Sequence, residues 1–92
     1  MPFEYDLTPE LKKILYKLRQ RNPKKADIVY KKIREIVNSD ESAIERYKYL
    51  RHDPKRRQRV HIDKHFVLTF KHEKESKFIR FLDFDHHDHA YQ

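Results

Sequence analysis

Glycine, cysteine and tryptophan are all absent from this 92-residue chain. Without cysteine there is no disulfide framework and no thiolate metal site, and the redox compartment is left unconstrained. Without glycine the backbone has little slack. Together with a composition that is 40% charged, that is compatible with the ion-rich surface of a thermophile. No apolar run approaches the ~20 residues needed to span a bilayer. The opening stretch, MPFEYDLTPE, lacks the basic-then-apolar order of a signal peptide. The expectation is a soluble, cytoplasmic protein with no membrane partner.

What is present is positive charge. Lys and Arg number 22 against 15 Asp and Glu, a formal net charge of +7. A small domain with that excess fits a polyanionic partner, either nucleic acid or an acidic protein. A merely solubilising surface is the plainer alternative. The length argues for a single domain over residues 1–92, with a small core and modest stability.

The hydrophobic pattern changes period along the chain. Phe3, Tyr5 and Leu7 alternate with Glu4 and Asp6, the signature of a short half-buried strand. Thr8 then caps a helix with Pro9 at its first position. Leu11, Ile14, Leu15 and Leu18 follow at helical spacing to about Gln20. Asn22 and Pro23 start a second helix by the same chemistry, and Ala26, Val29, Tyr30, Ile33, Ile36 and Val37 form its apolar stripe. So short a connection implies an antiparallel helical hairpin. Residues 39–56 are irregular, with Ala43, Ile44, Tyr47 and Leu50 fitting a short helical turn or an extended packing strip. Three β-rich runs close the chain: RQRVHI (57–62), HFVLTFKH (65–72) and KFIRFLDF (77–84). Hairpin turns are expected around Asp63-Lys64 and EKES. The fold class is therefore α+β: an N-terminal strand and a helical hairpin packed on a mainly antiparallel four-stranded sheet, in the order β-α-α-β-β-β. By strand parity Phe66, Leu68 and Phe70 face the core. Tyr5 and Tyr30 fit their apolar stripes and are expected in the core too.

Three stretches of this pattern resemble the RelE/ParE toxin superfamily. LTPEL runs a strand straight into a Pro-started helix. YKYLRHDPKRRQRVHI resembles the family's Leu-basic-loop-Arg-strand passage, with Leu50 and Arg51 at its Leu-Lys and Arg59 at its strand arginine. The terminal DHHDHAY resembles Gly-His-Arg-x-x-Val-Tyr: Asp85 takes the glycine place, His86 matches, His87 takes the arginine place, Ala90 the valine place and Tyr91 matches. The central strand, HFVLTF, lacks the arginine of the family's Tyr-Arg-x-x-Tyr. Either Arg59 or His61 next door supplies that phosphate contact, or this branch has lost activity. RelE-like members are ribosome-dependent mRNA endoribonucleases that need no metal or other cofactor and are held inactive by an antitoxin. ParE-like members poison DNA gyrase without hydrolysis. A catalytically inactive RNA- or antitoxin-binding relative is a further alternative.

RNA cleavage of this kind needs a base for the 2′-OH, a cation for the phosphorane and an acid for the leaving 5′-oxygen. Histidine suits the proton transfers and arginine the phosphate. The candidate catalytic residues are His86, His87, Tyr91, Arg59 and His61, with His87 favoured by its family position and Tyr91 placed to orient substrate. Lys48, Arg51, Lys55, Arg56 and Arg57 are the candidate RNA contacts. The DHHDH cluster, helped by His52, His61, His65 or His72, also has ligand types that suit a transition metal, and a solvated tail is its plain reading. The partners implied by the resemblance are the ribosome with its mRNA and a cognate acidic antitoxin.

Overall fold

The computed structural model describes residues 2–86. β1 (Glu4–Leu7) runs into α1 (Pro9–Arg21) through Thr8, whose hydroxyl has two roles. It accepts from the Leu11 amide at 3.2 Å, capping the helix, and donates to the Leu82 carbonyl at 2.9 Å. The Thr8 amide donates to the Phe81 carbonyl at 3.0 Å. The strand-to-helix junction is thus fastened to the strand formed by the far end of the chain.

Asn22 is the whole connection between α1 and α2 (Pro23–Val37). Its amide donates to the Leu18 carbonyl, ending α1, and its side-chain carbonyl accepts from the Lys25 amide at 3.1 Å, starting α2. Asp40 caps a one-turn helix, α3 (Glu41–Ile44). An extended strip follows, in which Leu50 donates to the Arg57 carbonyl and Lys48 accepts from the Arg59 amide, with Tyr49 opposite Gln58. The two forms considered for this irregular segment therefore occur one after the other. The strip covers the outer edge of β2, which would otherwise be open to pairing.

β2 (Gln58–Ile62), β3 (Phe66–Glu73) and β4 (Phe78–His86) join β1 in one sheet of order β1-β4-β3-β2. Only the β1–β4 pair is parallel. The helices cover one face. Leu11 and Leu15 from α1, and Val29, Ile33 and Ile36 from α2, pack with Leu68, Phe70, Ile79 and Phe81 in a single core. Tyr5 departs from expectation: it is 47% exposed and meets Phe81 edge-on at 6.1 Å. It lies on the outermost strand, where the helices cover its ring only in part.

A register shift between Thr69 and Phe70 leaves Leu82 as an extra residue in β4. Such a bulge reverses strand parity beyond it. Phe84 and Phe81, three apart, both reach the core, and so Asp83 and Arg80 both reach the opposite face. Turn positions where glycine is the usual choice are filled by larger residues: His52, Arg56, Asp63, Lys64 and Lys77 all have φ between 53° and 61°. Among the described residues no helix is long and apolar enough to cross a membrane.

Candidate nucleic-acid interface

The sheet register sets three rows across the face turned away from α1 and α2. His61, Val67 and Asp85 form the first, and Arg59, Thr69 and Asp83 the second. Lys71, Arg80 and Asp6 form the third. The first two rows each set a nitrogen-bearing side chain on β2, the His61 imidazole or the Arg59 guanidinium, against a carboxylate on β4, two strand spacings or about 10 Å apart. Val67 and Thr69 between them are 1% and 8% exposed, so the centre is closed to water. In the third row Arg80 is held by Asp6, Nε to Oδ1 at 3.0 Å.

Beside the third row lies a cavity of about 540 Å³, lined by Lys55, Arg57, Lys71 and Arg80 together with Glu73 and Asp83. Four cations and two carboxylates line this basin, and two of the cations, Arg57 and Arg80, already have carboxylate partners in Asp53 and Asp6. Lys71 and Arg80 come from β3 and β4, and Lys55 and Arg57 from the basic loop. The loop is ordered by its lone acid. Asp53 accepts from the Arg57 amide at 2.8 Å and the Lys55 amide at 3.3 Å, and from Arg57 Nε and Nη2 at 2.9 and 3.2 Å. The side-chain bonds from Arg57, followed by the backbone donors, hold the Asp53 carboxyl down to about 2. The same contact raises the Arg57 pKa. Two guanidinium nitrogens face Asp53, which leaves the remaining N–H groups of Arg57 for a ligand. The Asp83 carboxyl is pushed up, first by partial desolvation and further by Asp85, against the opposing bond from the Phe84 amide.

Of the residues singled out in the sequence, Lys55 and Arg57 line the basin. Arg59 is half-buried and His61 exposed on the same sheet face, one and two rows along. Lys48 and Arg51 are exposed. Arg56 lies over the Tyr49 ring at 4.7 Å, outside the basin. His86 ends β4 by pairing with Phe66 on the helix-facing side, with its ring 5.5 Å from Phe66 and stacked on His65 at 6.2 Å. Among the described histidines, it is therefore His61 that shares the face of the basin. His87 and Tyr91 lie outside the described residues. Of the described histidines considered for a metal, His65 and His86 stack together, whereas His72 is buried beside Phe3 on the helix side of β3 and His61 faces the other way. Among the described residues no three carboxylate or imidazole groups converge on a metal position.

Lys71 and Arg80 are not among the residues singled out in the sequence. Parity along FVLTFK places Lys71 with Val67 and Thr69, so its face was readable. Arg80 was not, because unbroken alternation from Asp83 sends it into the core; only the bulge returns it.

No family model matches the chain. It is 43% identical over 90 residues to a Methanocaldococcus jannaschii protein named as a candidate toxin, RelE4, covering 98% of this chain and 92% of that one. It is 40% identical over 82 residues to an uncharacterised Methanosarcina mazei protein, covering 89% and 91%.

Proposed function

This chain belongs to the RelE family of toxins, and we propose that it is a ribosome-dependent endoribonuclease that cuts mRNA without a metal and is restrained by an acidic antitoxin. The observation that supports this most is the basin in which Lys55, Arg57, Lys71 and Arg80 converge beside the Arg59 and His61 rows. It gives the sugar–phosphate backbone a seat next to an arginine and an imidazole on the same sheet face.

In this reading the mRNA backbone is held by the loop and by Lys71, and Arg59 faces the scissile phosphate. The 2′-oxygen attacks phosphorus as its proton passes to a base. The P–O5′ bond breaks, and the leaving oxygen takes a proton from an acid, which leaves a 2′,3′-cyclic phosphate and a 5′-OH. The three requirements are a base, a cation and an acid. Arg59, supported by the basin, is the cation that takes over from the arginine missing on the central strand. His61 is a proton-transfer group on the right face. His87, by its family position, is the other, with Tyr91 orienting the nucleotide. His86 is assigned a structural part, because its ring packs on His65 and Phe66.

The test is a purified cell-free translation system at protein equimolar to ribosomes. Translation stops, message is cut only when ribosomes are present, and cut ends carry cyclic phosphate. DNA supercoiling by gyrase is unchanged. Intact message with undiminished translation would overturn the proposal.

A further inference from the structure

We infer that the RNA track continues past the basin, around Lys71, into a second cavity that takes the base of a flanking nucleotide of single-stranded RNA. This rests on the RNA reading above and adds a subsite to it.

The second cavity, of about 480 Å³, is lined by Tyr49, Arg56, Lys71, Glu73, Lys74 and Glu75, among others. It shares Lys71 and Glu73 with the basin, so the two adjoin across those side chains. It exists because β3 outruns β2. Their pairing stops at Gln58 opposite Phe70, while β3 goes on to Glu73. The basic loop crosses the gap instead of filling it with a strand.

One wall is a preset stack. The Tyr49 backbone is fixed opposite Gln58 and its hydroxyl donates to Glu45 at 2.7 Å. The guanidinium of Arg56 lies over its ring at 4.7 Å. Arg56 holds a left-handed backbone, φ 56°, with its amide donating to the Asp53 carbonyl at 3.0 Å. Arginine planes and aromatic faces are the surfaces on which unpaired bases stack, with little regard for sequence. The charge distribution sorts the nucleotide. Lys71, at the boundary of the two cavities, suits the linking phosphate. Lys74 is already engaged by Glu45 at 3.3 Å. Glu73 and Glu75 repel a phosphate but accept hydrogen bonds from exocyclic amino groups, which favours a base inside and its phosphate at the rim.

The experiment measures binding of a hexauridylate with one internal 2-aminopurine, and of the dinucleotide UpU, to the full chain. Arg56→Gly suits the left-handed backbone, so folding is preserved. Arg56→Lys keeps the charge and loses the plane. Both are expected to weaken hexamer binding roughly tenfold, the scale of one stacked base. Both should abolish the quenching of 2-aminopurine and leave UpU binding within twofold. Arg59→Ala should weaken both ligands. Full hexamer affinity and quenching in Arg56→Lys would reduce Arg56 to a charge and overturn the subsite while leaving the RNA reading standing. Failure of the wild-type chain to bind either oligonucleotide would overturn the subsite, while the ribosome-dependent reading falls only if the translation assay above leaves message intact.

Discussion

Asp53 and Arg57 meet through paired contacts, Oδ2 to Nε at 2.9 Å and Oδ1 to Nη2 at 3.2 Å, and Asp53 also takes the Arg57 amide at 2.8 Å. One carboxylate thereby fixes both the backbone and the side chain of a basin residue. It is the one acid in RHDPKRRQR, and without it the loop is a run of like charges with two left-handed residues, His52 and Arg56.

Replacing Asp53 by Asn should therefore loosen the loop rather than the domain. The Arg57 amide should exchange with solvent much faster, while the strand amides of β3 keep their protection. mRNA cleavage should slow roughly 10- to 100-fold, the scale for a misplaced contact group. The pH dependence has a definite sign. The folded value for Asp53, about 2, lies below the unfolded value, which is about 3.9. Its contribution is fully present above the unfolded value and is lost as pH falls through about 2. The stability gap between wild type and Asp53→Asn should be constant from pH 7 to 5 and close between roughly pH 4 and 2. A gap that closes near neutrality would assign it to another group.

Arg59 and Lys71 are expected to act on RNA without carrying the fold. Each is half-buried on the sheet face turned away from α1 and α2. Arg59→Ala should slow single-turnover cleavage by about 10² or more, as removal of a charge-stabilising donor does. Lys71→Ala should weaken binding more than turnover, with one less unit of salt dependence. Lys12→Ala, on the exposed side of α1, should leave both unchanged. Equal losses in all three variants would mean that net charge alone is being measured.

Much of this arrangement is legible in the sequence. The helices announced themselves through caps with definite chemistry, Thr8-Pro9 and Asn22-Pro23, and through stripes of period 3.6. The strands did so by alternation, which sets Arg59 and His61 on one face, as the register has them. Three things were not readable. The bulge at Thr69/Phe70 is a property of two strands together, so nothing local in FIRFLDF marks where its parity turns over. The pairing of 48–50 with β2 is likewise nonlocal. The task of Asp53 was hidden because a lone acid among cations looks like background; its meaning lies in the turn that brings Arg57 back beside it. Tyr5 shows the reverse error, since apolar alternation gave the face correctly but not how far the helices extend over an edge strand.

The absence of glycine predicts a stability gain. Lys77 sits at φ 54° in the β3–β4 turn, and its side chain is 74% exposed with a loose 3.9 Å contact to Glu41, a contact of little worth. A left-handed non-glycine residue costs about 1–2 kcal/mol, partly offset by glycine's greater freedom in the unfolded chain. Lys77→Gly should therefore stabilise by roughly 0.5–1 kcal/mol, a Tm gain of about 2–8 °C for a domain of this size. Leu15→Ala, fully buried in α1, should instead cost about 2–5 kcal/mol. A lower Tm for Lys77→Gly would show that the turn depends on the lysine side chain.

Asp83 allows the two roles of the basin, binding and chemistry, to be separated. Its carboxyl is raised by partial desolvation and then by Asp85. For a raised carboxyl the native state favours the proton, so there is no penalty below the unfolded pKa, and a cost appears as pH rises through the folded value. Asp83→Asn should therefore raise Tm at pH 7 and leave it unchanged near pH 3. The same change removes a negative charge from a cavity lined by Lys55, Arg57, Lys71 and Arg80, and RNA association should become faster at low salt, with the advantage fading as salt screens it. Cleavage then decides the role. If Asp83 only tempers the field, single-turnover cleavage by Asp83→Asn equals or exceeds wild type. If rate falls while binding tightens, Asp83 takes part in proton transfer across the row it shares with Arg59. We expect the first outcome, because Asp83 stands about two strand spacings from Arg59, beyond direct contact with a phosphate seated there.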